Sequence, residues 1–293
     1  MELRYHSRNE DYFKCDRVMQ TLNISVIFST YNSPDWMLKT LWGLHYQSYQ
    51  NFEIIIADDG SDDSTKQAIE GFEAETGRKI KHVWQADEGF QKTRILNKAL
   101  LASEGEYIVF TDGDCILRRD FLAVHAANAE PGYFLSGGYF KLPMTTSEAI
   151  QIENIANGEA FDLEWLLEHG LNKTHKAMKL TAAGWRAKLL NWITPTKATW
   201  NGHNVSGWRA DIFAANGFDE RMQYGGEDRE LGERLFNRGI KSKQLRYSAI
   251  CVHLDHARGY VTQEMRDKNA AIRATTKRKK LTRTAYGIEK DRA

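Results

Sequence analysis

The sequence predicts an α/β protein built around a mainly parallel sheet, and three observations carry that prediction. From Asn23 onward, short β-branched apolar runs alternate with stretches of helical spacing, the order that right-handed βαβ units impose. Two of the apolar runs, FEIIIADDGS and EYIVFTDGDC, end in acid–glycine turns, at the strand ends where open α/β sheets bind ligands. The bulk composition permits such a core: 293 residues, 42% hydrophobic and 27% charged, suffice for one large domain or two.

The elements follow in order. ISVIFST (Ile24–Thr30) is apolar throughout, as a strand buried on both faces should be. Pro34 opens a helix whose apolar positions include Trp36, Leu38, Leu41, Trp42 and Leu44. FEIIIAD is a second strand, DDSTKQAIEGFEAE a helix with an acidic start, and KIKHVWQ a third strand. EGFQKTRILNKALLASEG reads as a helix stopped by Gly105, before the strand EYIVFTD. After about Leu122 the pattern changes, and residues 146–192 look helical and loop-like without clear strands. NGHNVSGWRADIFAANGFDE reads as turn, short strand, short helix and turn. GGEDRELGERLFNRG is a helix with glycine at each end, and KSKQLRYSAICVHLDH a strand ending in histidines. From Arg258 the basic stretch containing TTKRKKLTRT reads as a helix with a frayed end. No repeat or low-complexity linker divides the chain.

A net charge of +1 argues against a dedicated nucleic-acid binder. Cys15, Cys115 and Cys251 lie far apart without a CxxC pair, which fits a reducing compartment. No run approaches the roughly 18 apolar residues of a membrane span, and MELRYHSRNEDYFKC lacks the apolar core of a signal peptide. The expected location is the cytosol, with the basic tail available for peripheral contact with an anionic membrane.

Asp112 and Asp114 flank a glycine just beyond a buried strand. Two such carboxylates repel unless a cation or protons intervene, and Mg²⁺ or Mn²⁺ suits hard oxygen ligands beside phosphates. A solvated turn explains an isolated DxD equally well. Asp59 is placed to accept hydrogen bonds from a base or ribose, and Lys92 and Arg94 to meet phosphate charge. His253 and His256, three residues apart, point to opposite faces if extended, so only one should join a metal site. Tyr224, Trp200 and Trp208 flank glycine-rich turns, where aromatic faces suit sugar rings or core packing. Glu227 and Asp228 stand open between helix-start acids and a catalytic pair.

In order, these pieces resemble family 2 glycosyltransferases with the GT-A fold. ISVIFSTYNSPDWMLKTLWGLHYQSYQNFEIIIADDGSDDST and EGEYIVFTDGDC match the N-terminal half. NGHNVSGWRADIFAANGFDERMQYGGEDRELGERLFNRG and VHLDH resemble the acceptor region of galactosyltransferases and chondroitin-polymerase-type enzymes. The likeness spans roughly residues 23–256 and is weak through 140–195. It implies a Rossmann-like domain over 23–256, with a nucleotide-sugar half (23–115) and an acceptor half (116–256). An N-terminal extension (1–22) and a basic helical tail (257–293) flank it. The implied activity is metal-dependent inverting transfer of a hexose or N-acetylhexosamine from a nucleotide sugar, UDP by family habit. The implied acceptor is a hydroxyl of a glycan or glycolipid, in polysaccharide or lipopolysaccharide-type assembly. By resemblance, Asp59 contacts the base beside the Ser29–Tyr31 strand end, Asp112 is the nucleotide-side acid and Asp114 the principal metal-binding acid. His253 completes the Mn²⁺ or Mg²⁺ site in preference to His256. Asp228 is the base, Glu227 its supporting acid or an acceptor ligand, and Tyr224, Gly225, Gly226 and Trp208 belong to the acceptor side. Tyr224 stands where related enzymes often carry Trp, a departure that bears on the acceptor. The rival readings are a nucleotidyltransferase and a catalytically silent nucleotide-sugar-binding scaffold. The first, like a receiver-type phosphotransfer domain, gives the Gly-Gly-Glu-Asp element and the late histidine no evident job, and retention of every expected polar position argues against the second.

Overall fold

The structure, a computed structural model, describes residues 22–256 and 261–290. Apart from Leu22, the predicted N-terminal extension, Cys15 included, lies outside them, as does Arg258. The strands are β1 (Ile24–Thr30), β2 (Phe52–Asp58), β3 (Ile80–Trp84), β4 (Tyr107–Asp112), β5 (Cys115–Leu117), β6 (Tyr133–Lys141), β7 (Val205–Trp208) and β8 (Lys241–His253). The first helices are α1 (Pro34–His45), α2 (Asp63–Thr76), α3 (Lys92–Ala102) and α4 (Phe121–Asn128). Short helices follow: α5 (Met144–Ala149), α6 (Ile152–Asn157), α7 (Leu163–Glu168) and α8 (Met178–Thr181). The last are α9 (Gly184–Ile193), α10 (Arg209–Ala214), α11 (Glu227–Asn237) and α12 (Gln263–Lys279).

One sheet holds all eight strands in the order β3-β2-β1-β4-β7-β6-β8-β5. Its first half is parallel, as the strand–helix alternation predicts. Its second half is mixed: β7 runs antiparallel to β4 and β6, β6 parallel to β8, and β5 antiparallel to β8. Four of the seven pairings are thus parallel, three of them among β1 to β4. In that half the register sets Ser29 beside Asp112 and Thr30 beside Asp58, so the polar residues form one row along the C-terminal edge.

Period-2 alternation divides β1 between two cores. Val26 and Phe28 join Ile54, Ile56, Val109 and Leu41 of α1 on one face. Ile27 joins Ile55, Ile108, Phe110 and Leu96 of α3 on the other, with Trp200 and Leu231 beyond them. Each fully buried aliphatic side chain contributes about 1.5–3 kcal/mol of transfer free energy, and this two-faced burial fixes the edge on which the acids stand.

Only residues 113 and 114 separate β4 from β5, yet β5 lies at the far edge of the sheet beside β8. The sheet must therefore curl, bringing the end of β8 to the end of β4. Gly113 permits the closure: a Cβ there would lie 2.7 Å from the carbonyl oxygen of Ser29.

Two expectations change. Helix α3 ends at Ala102, where Ser103 turns extended and its hydroxyl donates to the Leu100 carbonyl. Gly105 is not the helix stop; it is needed because a Cβ would sit 2.5 Å from the Ser25 nitrogen. Nor is the basic tail frayed through its described length. Asn269 and Thr276 of α12 are buried, and the following segment is pinned by Asn216, which donates to the carbonyls of Thr284 and Glu289 (2.8 Å each).

A buried charge pair locks this region. Arg234 of α11, fully buried, donates to Glu230 (2.8–3.0 Å) and to the carbonyls of Ala215 and Gly217. Thr276 of α12 donates to the same Glu230 at 2.8 Å. Arg234→Ala strands a buried carboxylate and two carbonyls, so urea unfolding should show a loss of about 3–5 kcal/mol. In a Glu230→Gln background the same substitution should cost less, because no charge is left unpaired.

Candidate active site

A cleft of about 920 Å³ opens at the C-terminal edge of β1, β2 and β4. The predicted site residues line it, with two exceptions: Arg94 and Trp208. Arg94 pairs with exposed Glu88 at 2.7 Å, because two positions beyond Lys92 on α3 the side chain leaves the cleft. Trp208 sits at the opposite end of the sheet. Since β7 runs antiparallel to β4, Val205 pairs with Phe110 near the cleft and Trp208 with Tyr107 at the far end. There its indole packs edge-on to Tyr107 (5.2 Å) and donates to the Glu130 carbonyl (2.9 Å). Trp200 contributes to the cleft wall, but its ring is core, packed between Phe110 and Phe134.

At the nucleotide end, Asp59 is nearly buried and accepts from the Gln91 backbone (2.9 Å) and the Gln85 amide (2.7 Å). Burial outweighs those bonds and raises its pKa to about 6. Its neighbour Asp58 is structural, tied to His82 and the Ser61 nitrogen (2.8 Å each). Tyr31 lies at the rim and donates to Asp87 at 2.8 Å.

Asp112 and Asp114 have different surroundings. Lys92 meets Asp112 at 2.9 Å. Burial opposes ionisation of Asp112, but Lys92 and His203 outweigh it and hold the carboxyl at about 2. For Lys92, burial opposes the charge while Asp112, Asp228 and Glu227 lift its pKa well above the usual lysine value. Asp114 faces imidazoles instead: His253 Nε2 lies 3.7 Å and His256 Nε2 3.1 Å from its Oδ2. Strand β8 ends at His253, so the chain bends and both rings reach the same carboxylate, nearly parallel. The expectation of opposite faces fails because His256 is not in the strand.

The two histidines are nevertheless not equivalent. His253 Nδ1 lies 2.8 Å from the Leu254 carbonyl. A carbonyl can only accept, so Nδ1 carries a proton, and Nε2 is the ring nitrogen turned toward Asp114. Nε2 and the Asp114 carboxylate, 3.7 Å apart, are close enough for one cation to take both as ligands. Cys115 Sγ also falls within the same group, whose donor atoms lie within 4.8 Å of one another. Burial pushes that thiol well above its usual pKa, so it stays protonated and is a poor partner for a hard divalent ion. Carboxylate plus imidazole fits Mn²⁺, and Mg²⁺ less well.

On the opposite wall, Gly225 and Gly226 both adopt left-handed backbone (φ 109° and 87°), and Gly226 begins α11. Glu227 folds back to accept from the Gly225 nitrogen at 2.8 Å. Asp228 lines the cleft, and its buried Oδ1 has no hydrogen-bond partner. Burial first, then Glu227, raises its pKa from 3.8 to about 7. Tyr224 stacks edge-on to Phe90 (5.9 Å) at the mouth.

Sequence reasoning missed the segment 201–203. Gly202 approaches so closely that a Cβ would lie 2.5 Å from Asp228 Oδ2. His203 lines the cleft, packs on Tyr139 (4.4 Å) and is kept neutral by burial, its pKa near 4. The signal was the NGHN turn before β7, legible as a turn but silent about what it faces.

With fold and cleft described, comparison with known proteins gives the class. The Glycosyl transferase family 2 model matches residues 25–177, and the chain belongs to that family. It is 26% identical over 272 residues to the uncharacterized glycosyltransferase YfnE of Bacillus subtilis, covering 80% of this chain and 65% of YfnE. It is 28% identical over 230 residues to validoxylamine A glucosyltransferase of Streptomyces hygroscopicus subsp. jinggangensis, covering 74% and 52%. With Escherichia coli chondroitin synthase it shares 27% over 238 residues, covering 74% of this chain and 32% of that one. The chain thus spans less than two thirds of each of these relatives. Among solved structures, Staphylococcus aureus TarS 1–349 with UDP-GlcNAc matches at TM-score 0.58 and 17% identity, covering 88% of this chain and 69% of TarS. The mannosyltransferase PcManGT of Pyrobaculum calidifontis, with GDP-Man and Mn²⁺, matches at TM-score 0.55 and 20% identity, covering 86% and 66%. The architecture is the GT-A glycosyltransferase fold.

Proposed function

We propose that this glycosyltransferase is metal-dependent and inverting. It moves a hexose or N-acetylhexosamine from a nucleotide sugar, with UDP as nucleotide, to a hydroxyl of a glycan or glycolipid in polysaccharide or lipopolysaccharide-type assembly. The observation that carries this reading is Asp228: a carboxylate lining the cleft, one oxygen unpartnered, its pKa raised to about 7. That is the condition of a general base working near neutrality. The likeness to proteins solved with UDP-GlcNAc and with GDP-Man and Mn²⁺ supports the donor class, and family membership favours glycosyl over nucleotidyl transfer.

In this reading Asp59 and the Ser29–Tyr31 edge bind the nucleoside. Asp114 and His253 would hold the metal, which would supply positive charge beside the diphosphate. Lys92 keeps Asp112 ionised and adds positive charge beside the same group. Asp228 accepts the proton of the acceptor hydroxyl as its oxygen bonds to the anomeric carbon and the bond from that carbon to the diphosphate breaks. Glu227 and Tyr224 orient the acceptor. Attack from the face opposite the leaving group inverts the anomeric centre.

Asp228→Asn should leave nucleotide-sugar binding unchanged and cut transfer by about 10²-fold or more. It should also raise the melting temperature, since a carboxylate that burial and Glu227 disfavour is gone. In the native enzyme the base works only as carboxylate, so the transfer rate should climb with pH through a midpoint near 7. A flat profile from pH 5 to 8 would exclude this base.

Asp114→Ala and His253→Ala should each weaken Mn²⁺-dependent nucleotide-sugar binding at least tenfold, measured by calorimetry. His256→Ala should weaken it less, because His256 is the more exposed of the two rings, whereas His253 is buried with Nδ1 held by the Leu254 carbonyl.

Peripheral contact with an anionic membrane completes the reading. Lys277–Lys280 at the end of α12 are exposed, as are Trp185 and Trp192 of α9, and such side chains suit a bilayer interface. Co-sedimentation with anionic vesicles should occur at low salt and fall at about 1 M, where screening is nearly complete. Equal binding to neutral vesicles would rule out the basic tail as the contact.

A further inference from the structure

A second cavity, about 1220 Å³, adjoins the catalytic cleft and shares part of its wall, including Tyr139, Lys141, Asn201, His203 and Arg229. It borders the Asp228 side, since the shared residues include Arg229, next to Asp228 in the chain, and Asn201 and His203, which flank the Gly202 that closes on Asp228. Its walls carry eight Lys or Arg side chains against two acids, Glu233 and Asp255. Both acids are engaged: Asp255 with Lys141 at 2.8 Å, and Glu233 with Arg273 (2.5 Å) and Lys277 (3.3 Å). Lys176, Lys179, Lys197, Arg229 and Arg246 have no carboxylate partner among the described residues. In a chain of net charge +1, that is a strong local excess.

The cations are placed by the fold. The register between β6 and β8 jumps from Gly137↔Leu245 to Gly138↔Ile250, so residues 246–249 bulge from the ladder and carry Arg246. Gly138 makes room, because a Cβ would lie 2.0 Å from the Arg246 carbonyl oxygen. Asn191 of α9 fixes the bulge, accepting from the Tyr247 nitrogen (2.8 Å) and donating to the Ser248 hydroxyl (2.7 Å). Lys179 of α8 donates to the Tyr139 carbonyl at 3.0 Å and lies 5.3 Å from that ring's centre. Burial, then Arg246 and Lys176, lower the Lys179 pKa. Crowded like charges of this kind disfavour the free state and favour an anionic occupant.

We propose that this cavity binds the acceptor through anionic groups, carboxylate or phosphate, borne along its glycan. Lys176, Lys179 and Arg246 hold the charge, with Arg229 and Lys197 at the margins, while the adjoining sugar hydroxyl reaches Asp228. The inference rests on the transferase reading above and adds the acceptor's chemical class.

The test is calorimetry on the full chain without metal, using three probes: tetragalacturonate, inorganic tripolyphosphate and neutral maltotetraose. At least one anionic probe should bind tenfold tighter than maltotetraose and weaken with salt. Preference between the two anionic probes identifies carboxylate or phosphate as the recognised group. Lys179→Met with Arg246→Gln should reduce that binding at least tenfold, and Lys179→Arg should retain it. Exposed Lys176→Gln gives a second reading, a severalfold loss, should the double variant misfold. Nucleotide-sugar binding with Mn²⁺ should be unchanged in all of them. Anionic probes that bind no better than maltotetraose, or that ignore these substitutions, overturn the proposal. Failure of the native chain to bind any nucleotide sugar would instead overturn the transferase reading.

Discussion

Repulsion among carboxylates at the mouth of the sheet is the constraint on which the rest of the site depends. Asp112, Asp114, Glu227 and Asp228 line one cleft, and each is relieved differently. Asp112 has Lys92, Asp114 has two histidines, and Glu227 has a backbone nitrogen. Asp228 Oδ1 has no hydrogen-bond partner among the described residues. One field therefore holds Asp112 near 2 and Asp228 near 7, and groups driven apart in this way are suited to different roles. Lys92 couples the two sides, because its charge is sustained by both.

The fold meets this constraint by rigid close approach. The parallel half aligns strand ends in register, and the curl of the sheet brings the end of β8 to Asp114. Gly113 and Gly202 let backbone come within reach where any side chain would collide with Ser29 or Asp228. The acids cannot relax away from one another without breaking the two hydrophobic cores beneath them. Stability is concentrated elsewhere, in the cores and around Arg234, so the strained cleft is tolerated.

The nucleotide half was legible because its signals are local. Apolar runs, acid–glycine turns and the glycine-flanked α11 each declare themselves within ten residues or so, and the structure brings their acids together. What sequence could not give was whatever depends on strand direction or on distant partners. Trp208 went to the wrong end because the antiparallel course of β7 leaves no mark in four residues. Gly105 looked like a helix stop, but its reason is Ser25, 80 residues away. His253 and His256 were separated by assuming a strand that runs through both, whereas β8 ends at His253. Gly202 and His203 read as an ordinary turn, since nothing nearby announces Asp228 on the facing wall. The bulge that carries Arg246 is a register shift, and register is not written in either strand alone.

The pinning of Asn216 has a consequence for the order in which the molecule assembles. Asn216 is held by residues up to 73 positions later, and the adjacent Phe218 by Asn97, 121 positions earlier. As the chain emerges during synthesis, β1 to β4 can find one another from nearby sequence. The turn preceding Tyr224 and Asp228 has to wait for partners from both directions. Closing such long loops is slow, so the wall bearing Asp228 should be among the last parts to settle. A nascent chain would then hold a formed β1–β4 edge before the wall that carries Asp228 is in place.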